Sequence, residues 1–255
     1  MKKLFLFLLP AVGLLASCNL LNGNNPETST EDKPLEIVDG VLPGVFSVSS
    51  TTKVHFSQGA LSYRKSKERW DFETNQTFSG SFFGWGTGLN PTLNDTKDAS
   101  YATFNDWGDN AVSNGGNEPK RFRTLSSTEW DWLLNKRANA QKLRGVRSIN
   151  SVRGLMILPD NWKQPAGVKW SDSDISYETE DWNKLEKAGA VFLPCAGYSE
   201  GSNATIGVEG WYWTSTNSGE YGANAIKFNT TSQMVVITPK PRHFGLSVRL
   251  VQEVK

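Results

Sequence analysis

Few side chains in this sequence combine the type and the spacing that covalent chemistry needs. Cys195 lies in the apolar run VFLPCAGY, where a thiol is usually buried and unreactive. The two histidines, His55 and His243, are distant in sequence, and each is flanked by residues typical of strands, which favours a structural role. The serines and aspartates do not suggest a nucleophile elbow or a Ser-His-Asp ordering. We therefore predict no catalytic residues and a protein that is not an enzyme.

Paired carboxylates are the other candidates for chemistry, because calcium takes about six to eight oxygen ligands. The pairs are Asp106 with Asp109, Asp172 with Asp174, and Glu180 with Asp181. Their spacing does not match an EF-hand loop, so solvated turn residues are the simpler interpretation. We predict no metal site and no cofactor.

Aromatic residues near the C-terminal end of the chain indicate a ligand-binding surface. The chain has 10 Trp, and aromatic faces stack on sugar rings or anchor protein partners. Polar residues follow the aromatic ones, and alternation places Lys227 and Asn229 on one side of a strand. The predicted ligand-binding residues are Trp211, Tyr212, Trp213, Asn217, Glu220, Tyr221, Asn224, Lys227 and Asn229. Two alternatives stay open: one tryptophan faces the core, and the polar face serves only solubility.

The N-terminal residues predict export and a lipid anchor. Lys2 and Lys3, an apolar run over residues 4–15 and two small residues follow the order of a secretory signal, and the run is too short to span a bilayer comfortably. Leu15-Ala16-Ser17-Cys18 resembles the lipobox of bacterial lipoproteins. We predict that residues 1–17 are a signal peptide, that acyl chains on Cys18 bind the membrane, and that the protein resides in the cell envelope at the outer membrane.

A polar segment, NLLNGNNPETSTEDK, follows Cys18 and cannot bury enough apolar surface to offset its ordering entropy. We predict a flexible tether over residues 18–41 and one domain over residues 42–255. The net charge of +1 gives no strong field toward nucleic acid, which is not expected as a partner.

Two helices are predicted within the domain. The first begins with the capping box of Ser126 and Glu129, and the second runs from Thr179 to a terminator at Gly189. Their apolar faces comprise Trp130, Leu133 and Leu134 in the first helix, and Trp182 and Leu185 in the second.

Short strands, separated by Gly-, Asn- and Ser-rich loops, account for most of the remaining pattern. They are predicted around Val45–Ser47 and at Lys53–Phe56, Leu155–Leu158, Ala190–Leu193, Gly210–Thr214, Ala223–Phe228, Met234–Ile237 and Leu246–Val251. In the last, Leu246, Val248 and Leu250 share one face while Ser247 and Arg249 take the other, which predicts a half-buried strand. The expected fold class is a single α+β domain with two or three helices and much loop.

Three motifs resemble the formylglycine-generating-enzyme (sulfatase-modifying factor) family. RTLSSTEW (123–130) resembles its R-L-P-T-E-A-E-W signature, GWYWTS (210–215) its Trp-x-Trp-Thr-Ser strand, and FGLSVR (244–249) its closing G-F-R strand. The resemblance implies the C-type-lectin-like fold. Enzymes of that family oxidise a cysteine with copper held by two cysteines near the C-terminal strand. This sequence lacks that pair, so the resemblance implies the scaffold without the chemistry.

A closer resemblance is to the major paralogous domain family of Bacteroidota surface lipoproteins. It is carried by LPGVFSVSSTTKVHFSQGALSY, FFGWGTG, NAVSNGG, VFLPCAGY and FGLSVRLV, and extends over residues 42–251. That family implies no established activity. Some lectin-like relatives in such bacteria are targets of retroelements that diversify surface residues near the C-terminus.

These observations predict a non-enzymatic, lipid-anchored envelope protein whose lectin-like domain displays a surface for a protein or glycan ligand. Three alternatives remain: a retroelement-diversified surface receptor, a structural envelope component, and an enzyme with an unrecognised site.

Overall fold

The computed structural model describes residues 36–170, 175–201 and 203–255. The predicted signal peptide, Cys18 and most of the predicted tether lie outside these residues, as do Asp172 and Asp174. Among the described residues, no helix has both the length and the apolar character needed to cross a membrane.

The described chain forms many short strands and two α-helices. In the first half, the strands are β1 (Phe46–Ser47), β2 (Lys53–Phe56), β3 (Leu61–Arg64), β4 (Arg69–Phe72), β5 (Arg123–Thr124), β6 (Arg144–Ile149) and β7 (Val152–Ile157). In the second half, they are β8 (Ser176–Tyr177), β9 (Val191–Pro194), β10 (Tyr198–Glu200), β11 (Asn203–Thr205), β12 (Glu209–Ser218), β13 (Gly222–Asn229), β14 (Val235–Pro241) and β15 (Leu250–Glu253). The helices are α1 (Ser127–Asp131) and α2 (Thr179–Lys187).

Helix α1 begins at the predicted capping box. Ser126 Oγ accepts a hydrogen bond from the Glu129 backbone N–H (3.2 Å), and the Glu129 carboxylate accepts one from the Ser126 N–H (2.8 Å). Together they satisfy two N–H groups that a helix start leaves without partners. The chain continues in a wider π-type turn, Trp132–Lys136. The predicted apolar face is buried and comprises Trp130, Leu133 and Leu134.

Helix α2 also lies where the sequence predicts it. Trp182 and Leu185 are buried, and the Trp182 ring packs edge-on against Phe192 of β9, with ring centroids 5.9 Å apart. The helix ends at Lys187, before Gly189. Tertiary packing of this one face therefore holds a helix that would be marginal alone.

The strands form several small sheets. Two are four-stranded, in the orders β1-β2-β15-β5 and β8-β6-β7-β9, and β12-β13-β14 form a three-stranded antiparallel sheet. Hairpins β3-β4 and β10-β11 complete the set in the described residues. The fold is therefore mixed, rich in sheet and poor in helix, which agrees with the predicted α+β class.

The β12-β13-β14 sheet has a hydrophobic cluster on each face. Side chains alternate along a strand, so neighbouring residues of β12 and β13 enter different clusters. One cluster includes Tyr212, Ile226 and Phe228, and the other includes Trp211, Trp213 and Ala225.

The prediction of a half-buried strand over residues 246–251 is wrong. Strand β15 begins only at Leu250, and Ser247 and Arg249 are buried as fully as the apolar face. Arg249 Nη2 donates to Ser57 O (2.7 Å) and Gln76 Oε1 (2.8 Å). These polar side chains lie in the interior because other segments supply their hydrogen bonds, which strand alternation does not reveal.

Candidate functional site

The three predicted aromatic ligand contacts on β12 are buried. Tyr212 and Trp213 are 0% and 1% exposed, and Trp211 is 6% exposed. The Tyr212 hydroxyl donates to Pro194 O (2.9 Å), and Trp213 Nε1 donates to Phe83 O (2.7 Å). The prediction of ligand contact is therefore wrong for Tyr212 and Trp213, because both faces of the strand are covered. Trp211 contacts Lys240, a partly exposed side chain, and we call this part of the surface the rim.

At this rim, three aromatic rings surround an ammonium group. Lys240 Nζ lies 3.8 Å from the ring centroid of Tyr198, 4.3 Å from that of Phe244 and 4.6 Å from that of Trp211. All three distances fall within the range in which a ring quadrupole attracts a cation. We call Tyr198, Trp211 and Phe244 the aromatic cage.

Glycines bring the segments of the aromatic cage together. Gly197 N–H donates to Glu209 O (2.7 Å), and Gly197 pairs with Gly210 in a parallel bridge. This contact places Tyr198 beside Trp211, with ring centroids 6.1 Å apart. A Cβ on Gly197 would lie 1.3 Å from the carbonyl oxygen of Thr205, so no other residue fits without movement.

A second bridge places Phe244. Ser199 and Gly245 exchange two backbone hydrogen bonds of 2.8 Å. A Cβ on Gly245 would lie 2.2 Å from Ser199 Oγ, so the serine hydroxyl would have to rotate away from a larger residue at this position. Phe244 consequently lies against Tyr198, with ring centroids 5.6 Å apart.

Glu209 links Trp211 to a second lysine. Its carboxylate accepts from Trp211 Nε1 (2.9 Å) and pairs with Lys227 Nζ (2.8 Å), which lies 5.0 Å from the centroid of the Trp211 ring. Burial alone would raise the pKa of Glu209, but hydrogen bonds from Lys227 and Trp211 hold that pKa below its usual value. Glu209 is therefore ionised at neutral pH.

Lys240 differs from Lys227 in its partners. Burial lowers the pKa of the Lys240 ammonium, an effect that the charges of Glu209 and Glu200 oppose. No hydrogen-bond acceptor contacts Lys240 Nζ in the described part of the chain. Its N–H donors therefore remain available to an oxygen from outside the protein.

A histidine–carboxylate pair adjoins the aromatic cage. His243 Nδ1 lies 2.7 Å from Asp98 Oδ1, and the backbone N–H of His243 donates to the same oxygen (3.1 Å). His243 Nε2 lies 4.0 Å from Glu200, and the imidazole packs on Phe244. Asp98 thus fixes the segment that carries Phe244. The other histidine, His55, contacts Gly44 O through Nδ1 (2.9 Å), a structural contact as predicted.

The predicted polar contact residues have three kinds of surroundings. Lys227 contacts the aromatic cage through Trp211, and it shares one side of β13 with Asn229, as predicted. The Asn229 side chain instead accepts from the backbone N–H groups of Thr231 and Ser232 and caps a turn. The others lie on β12, on β13 or at the turn between them, and comprise Asn217, Glu220, Tyr221 and Asn224. The structure does not place them in the cage.

Three members of the site were not predicted: Tyr198, Lys240 and Phe244. Each lies outside β12, the strand that carries Trp211, so no local pattern links it to that residue. A weak signal existed for Phe244, which precedes a glycine in the closing motif, but nothing in the sequence pairs Gly245 with Ser199.

The residues considered for catalysis have structural surroundings. Cys195 is buried, and burial raises the pKa of its thiol to about 11, so little thiolate forms at neutral pH. Residues 197–201, GYSEG, do fit the G-x-S-x-G pattern. They form β10 and the start of a hairpin turn rather than the strand-to-helix turn of a nucleophile elbow.

Two carboxylates of the predicted pairs, Asp106 and Glu180, bind groups of the protein itself. Asp106 accepts from the N–H groups of Gly108 and Thr124 (2.9 and 3.0 Å), and Glu180 pairs with Lys184 (3.0 Å). Over the described ranges, no three His, Cys, Asp or Glu side chains converge as metal ligands would.

The fold and the site define a class: a sheet-rich α+β domain that holds a lysine within an aromatic cage. One family model, described as a domain of unknown function (DUF8237), matches residues 171–251. The match contains all of the aromatic cage and Lys240. No curated protein and no solved structure matches the chain.

Proposed function

We propose that this chain is a non-enzymatic, lipid-anchored protein of the cell envelope, whose domain binds a protein or glycan ligand at the aromatic cage. The observation that carries the proposal is Lys240. Its ammonium is fixed by three rings, yet none of its N–H donors has a protein acceptor in the described residues.

The partly exposed rings favour recognition of an oxygen-rich ligand. Tyr198 and Phe244 are half-buried at the rim, where an apolar face and a polar edge occur together. Such faces stack on sugar rings, while a fixed ammonium donates to hydroxyl or carboxylate oxygens. Because Lys240 is already held in place, ligand binding would immobilise few additional bonds.

The proposal also includes the fold family of the domain. We infer a C-type-lectin-like domain related to the major paralogous domain family of Bacteroidota surface lipoproteins, from the three motifs and the segments given above. The coarser architecture, an α+β domain with many short strands and two α-helices in the described residues, supports this inference. A lipid anchor at Cys18 would tether this domain to the outer membrane.

A glycan array and a surface-protein pull-down test the proposal. Both would use the full chain in detergent, with Lys240→Gln as the test variant and Lys53→Gln as the control, because Lys53 is an exposed lysine on β2. We expect at least one ligand to bind the wild type and Lys53→Gln equally. Lys240→Gln should bind the same ligand at least about tenfold more weakly than the wild type does. Blank screens with folded protein, or equal binding by both variants, would contradict the proposal.

A further inference from the structure

A separate cavity of about 300 Å³ lies at the start of strand β6. Its described lining consists of three basic side chains and two amides. These residues are Gln141, Lys142, Arg144, Arg147 and Gln233, which we call the basic pocket. The volume is at the low end for ligand sites and suits a small group rather than a macromolecular surface.

Arg144 is held in the basic pocket by neutral oxygens. Its Nε donates to Leu134 O (2.7 Å) and its Nη1 to Gln233 O (3.3 Å). Its Nη2 donates to Asn135 Oδ1 (3.2 Å) and Gln141 Oε1 (2.9 Å). These bonds fix the guanidinium but leave its charge without a carboxylate in the described residues. Burial lowers the pKa of Arg144 accordingly. A partly buried cation of this kind gains from an anionic partner.

The opposite wall of the basic pocket is equally fixed. The Arg147 guanidinium stacks over the Trp170 ring, 4.6 Å from its centroid, and Arg147 Nη1 donates to Val146 O (2.8 Å). Gln233 Oε1 accepts from the Val146 N–H (2.8 Å), so the loop before β14 is bound to β6. The pocket is therefore preorganised, and a ligand would not have to order it.

We propose that the basic pocket binds an oxyanion group, namely a carboxylate, sulfate or phosphate. Arg144 supplies the second N–H of its Nη1, which has no acceptor in the described residues, and Lys142 supplies an exposed ammonium. Charged donors of this kind suit oxyanions. The basic pocket shares no residue with the aromatic cage, so this inference stands independently of the function proposed above.

Calorimetric titration of the full chain tests this inference, with inorganic sulfate, inorganic phosphate and acetate as separate probes at constant ionic strength. We expect at least one probe to bind with a Kd on the order of 1 mM. Lys142→Gln and Arg144→Gln should each weaken that binding about tenfold. Lys67→Gln removes a charge from the distant β3-β4 hairpin and should leave the Kd unchanged.

Two results would overturn the inference. One is the absence of binding by all three probes to the wild type. The other is an equal loss in Lys67→Gln, which would indicate a nonspecific charge effect. Because Arg144 also holds neighbouring segments, Arg144→Gln is checked by circular dichroism; Lys142 is exposed, and its variant decides the result if Arg144→Gln unfolds. Lys240→Gln should bind the probes as the wild type does, which separates this site from the aromatic cage.

Discussion

Arg123 and Glu129 join the start of helix α1 to the sheet that contains β15. Two guanidinium nitrogens of Arg123 donate to the two carboxylate oxygens of Glu129 (3.0 and 2.6 Å), and its Nε donates to Glu253 on β15 (3.0 Å). Glu129 also completes the capping box with Ser126. One carboxylate therefore serves a helix start and a tertiary ion pair, and its protonation should weaken both.

Glu129→Gln should destabilise the protein at neutral pH and reduce its sensitivity to acid. Burial alone would raise the pKa of Glu129, but hydrogen bonds from Arg123 and Ser126 hold it below 4.5, its ordinary value. The ionised group thus stabilises the fold above its unfolded pKa, and this stabilisation is lost as the pH falls below 4.5 toward the folded pKa. We expect a loss of about 1–2 kcal/mol in urea unfolding near neutral pH.

The difference between wild type and Glu129→Gln should shrink as the pH falls through that range. Glu180→Gln is the control, since Glu180 pairs with Lys184 on an exposed helix surface, where ion pairs contribute little. Identical acid profiles for wild type and Glu129→Gln would exclude the proposed role.

Burial of individual residues could be predicted only in part. The apolar run around Cys195 correctly indicated a buried thiol, because every neighbour favours the interior. Tyr212 was misassigned since the sequence does not show that β12 has a core on each face. Two of the rings around Lys240 come from other strands, Tyr198 from β10 and Trp211 from β12, and no local pattern predicts these contacts.

At the scale of elements, the close approach of β10 to β12 builds the aromatic cage. Gly197→Ala should disrupt it, because the added Cβ would lie 1.3 Å from Thr205 O and the residue has a φ of +76°. We expect a destabilisation of about 2–4 kcal/mol, measured by urea unfolding. Quenching of tryptophan fluorescence by iodide should increase as Trp211 loses cover from Tyr198.

Gly167→Ala is a matched control for that substitution. Gly167 has the same φ of +76°, but a Cβ there would meet nothing within 4 Å. It therefore isolates backbone strain, with an expected cost of about 1 kcal/mol. Equal losses in the two variants would mean that the close approach at Gly197 contributes nothing.

Local signals predicted the elements better than their assembly. Helix α1 and helix α2 follow from a capping box, an apolar face and a terminating glycine, all within a few residues of one another. The pairing of Ser199 with Gly245, or of Gly197 with Gly210, joins residues whose relation is tertiary. Strand alternation likewise failed at Ser247 and Arg249, because their polar partners come from distant loops.

For the molecule as a whole, β14 is an edge that resists sheet extension. It lies at the end of the β12-β13-β14 order, and Pro239 and Pro241 lack the N–H that a further strand would need. Lys240 lies between them and adds a charge, another common protection of edge strands. The segment that places Lys240 in the aromatic cage therefore also discourages association through this sheet.

The attachment of the molecule to a membrane is tested by its two cysteines. We expect the wild type to incorporate an alkyne-labelled fatty acid in a bacterial host, because the lipobox-like LASC directs acylation to Cys18. Cys18→Ser should abolish the label and also the cleavage before residue 18, so that mass spectrometry finds residues 1–17 retained. Cys195→Ser is the control, since the only other thiol is buried in the domain and should not affect labelling. Labelling that persists in Cys18→Ser, or is absent from the wild type, would contradict the predicted lipid anchor and the proposed location in the cell envelope.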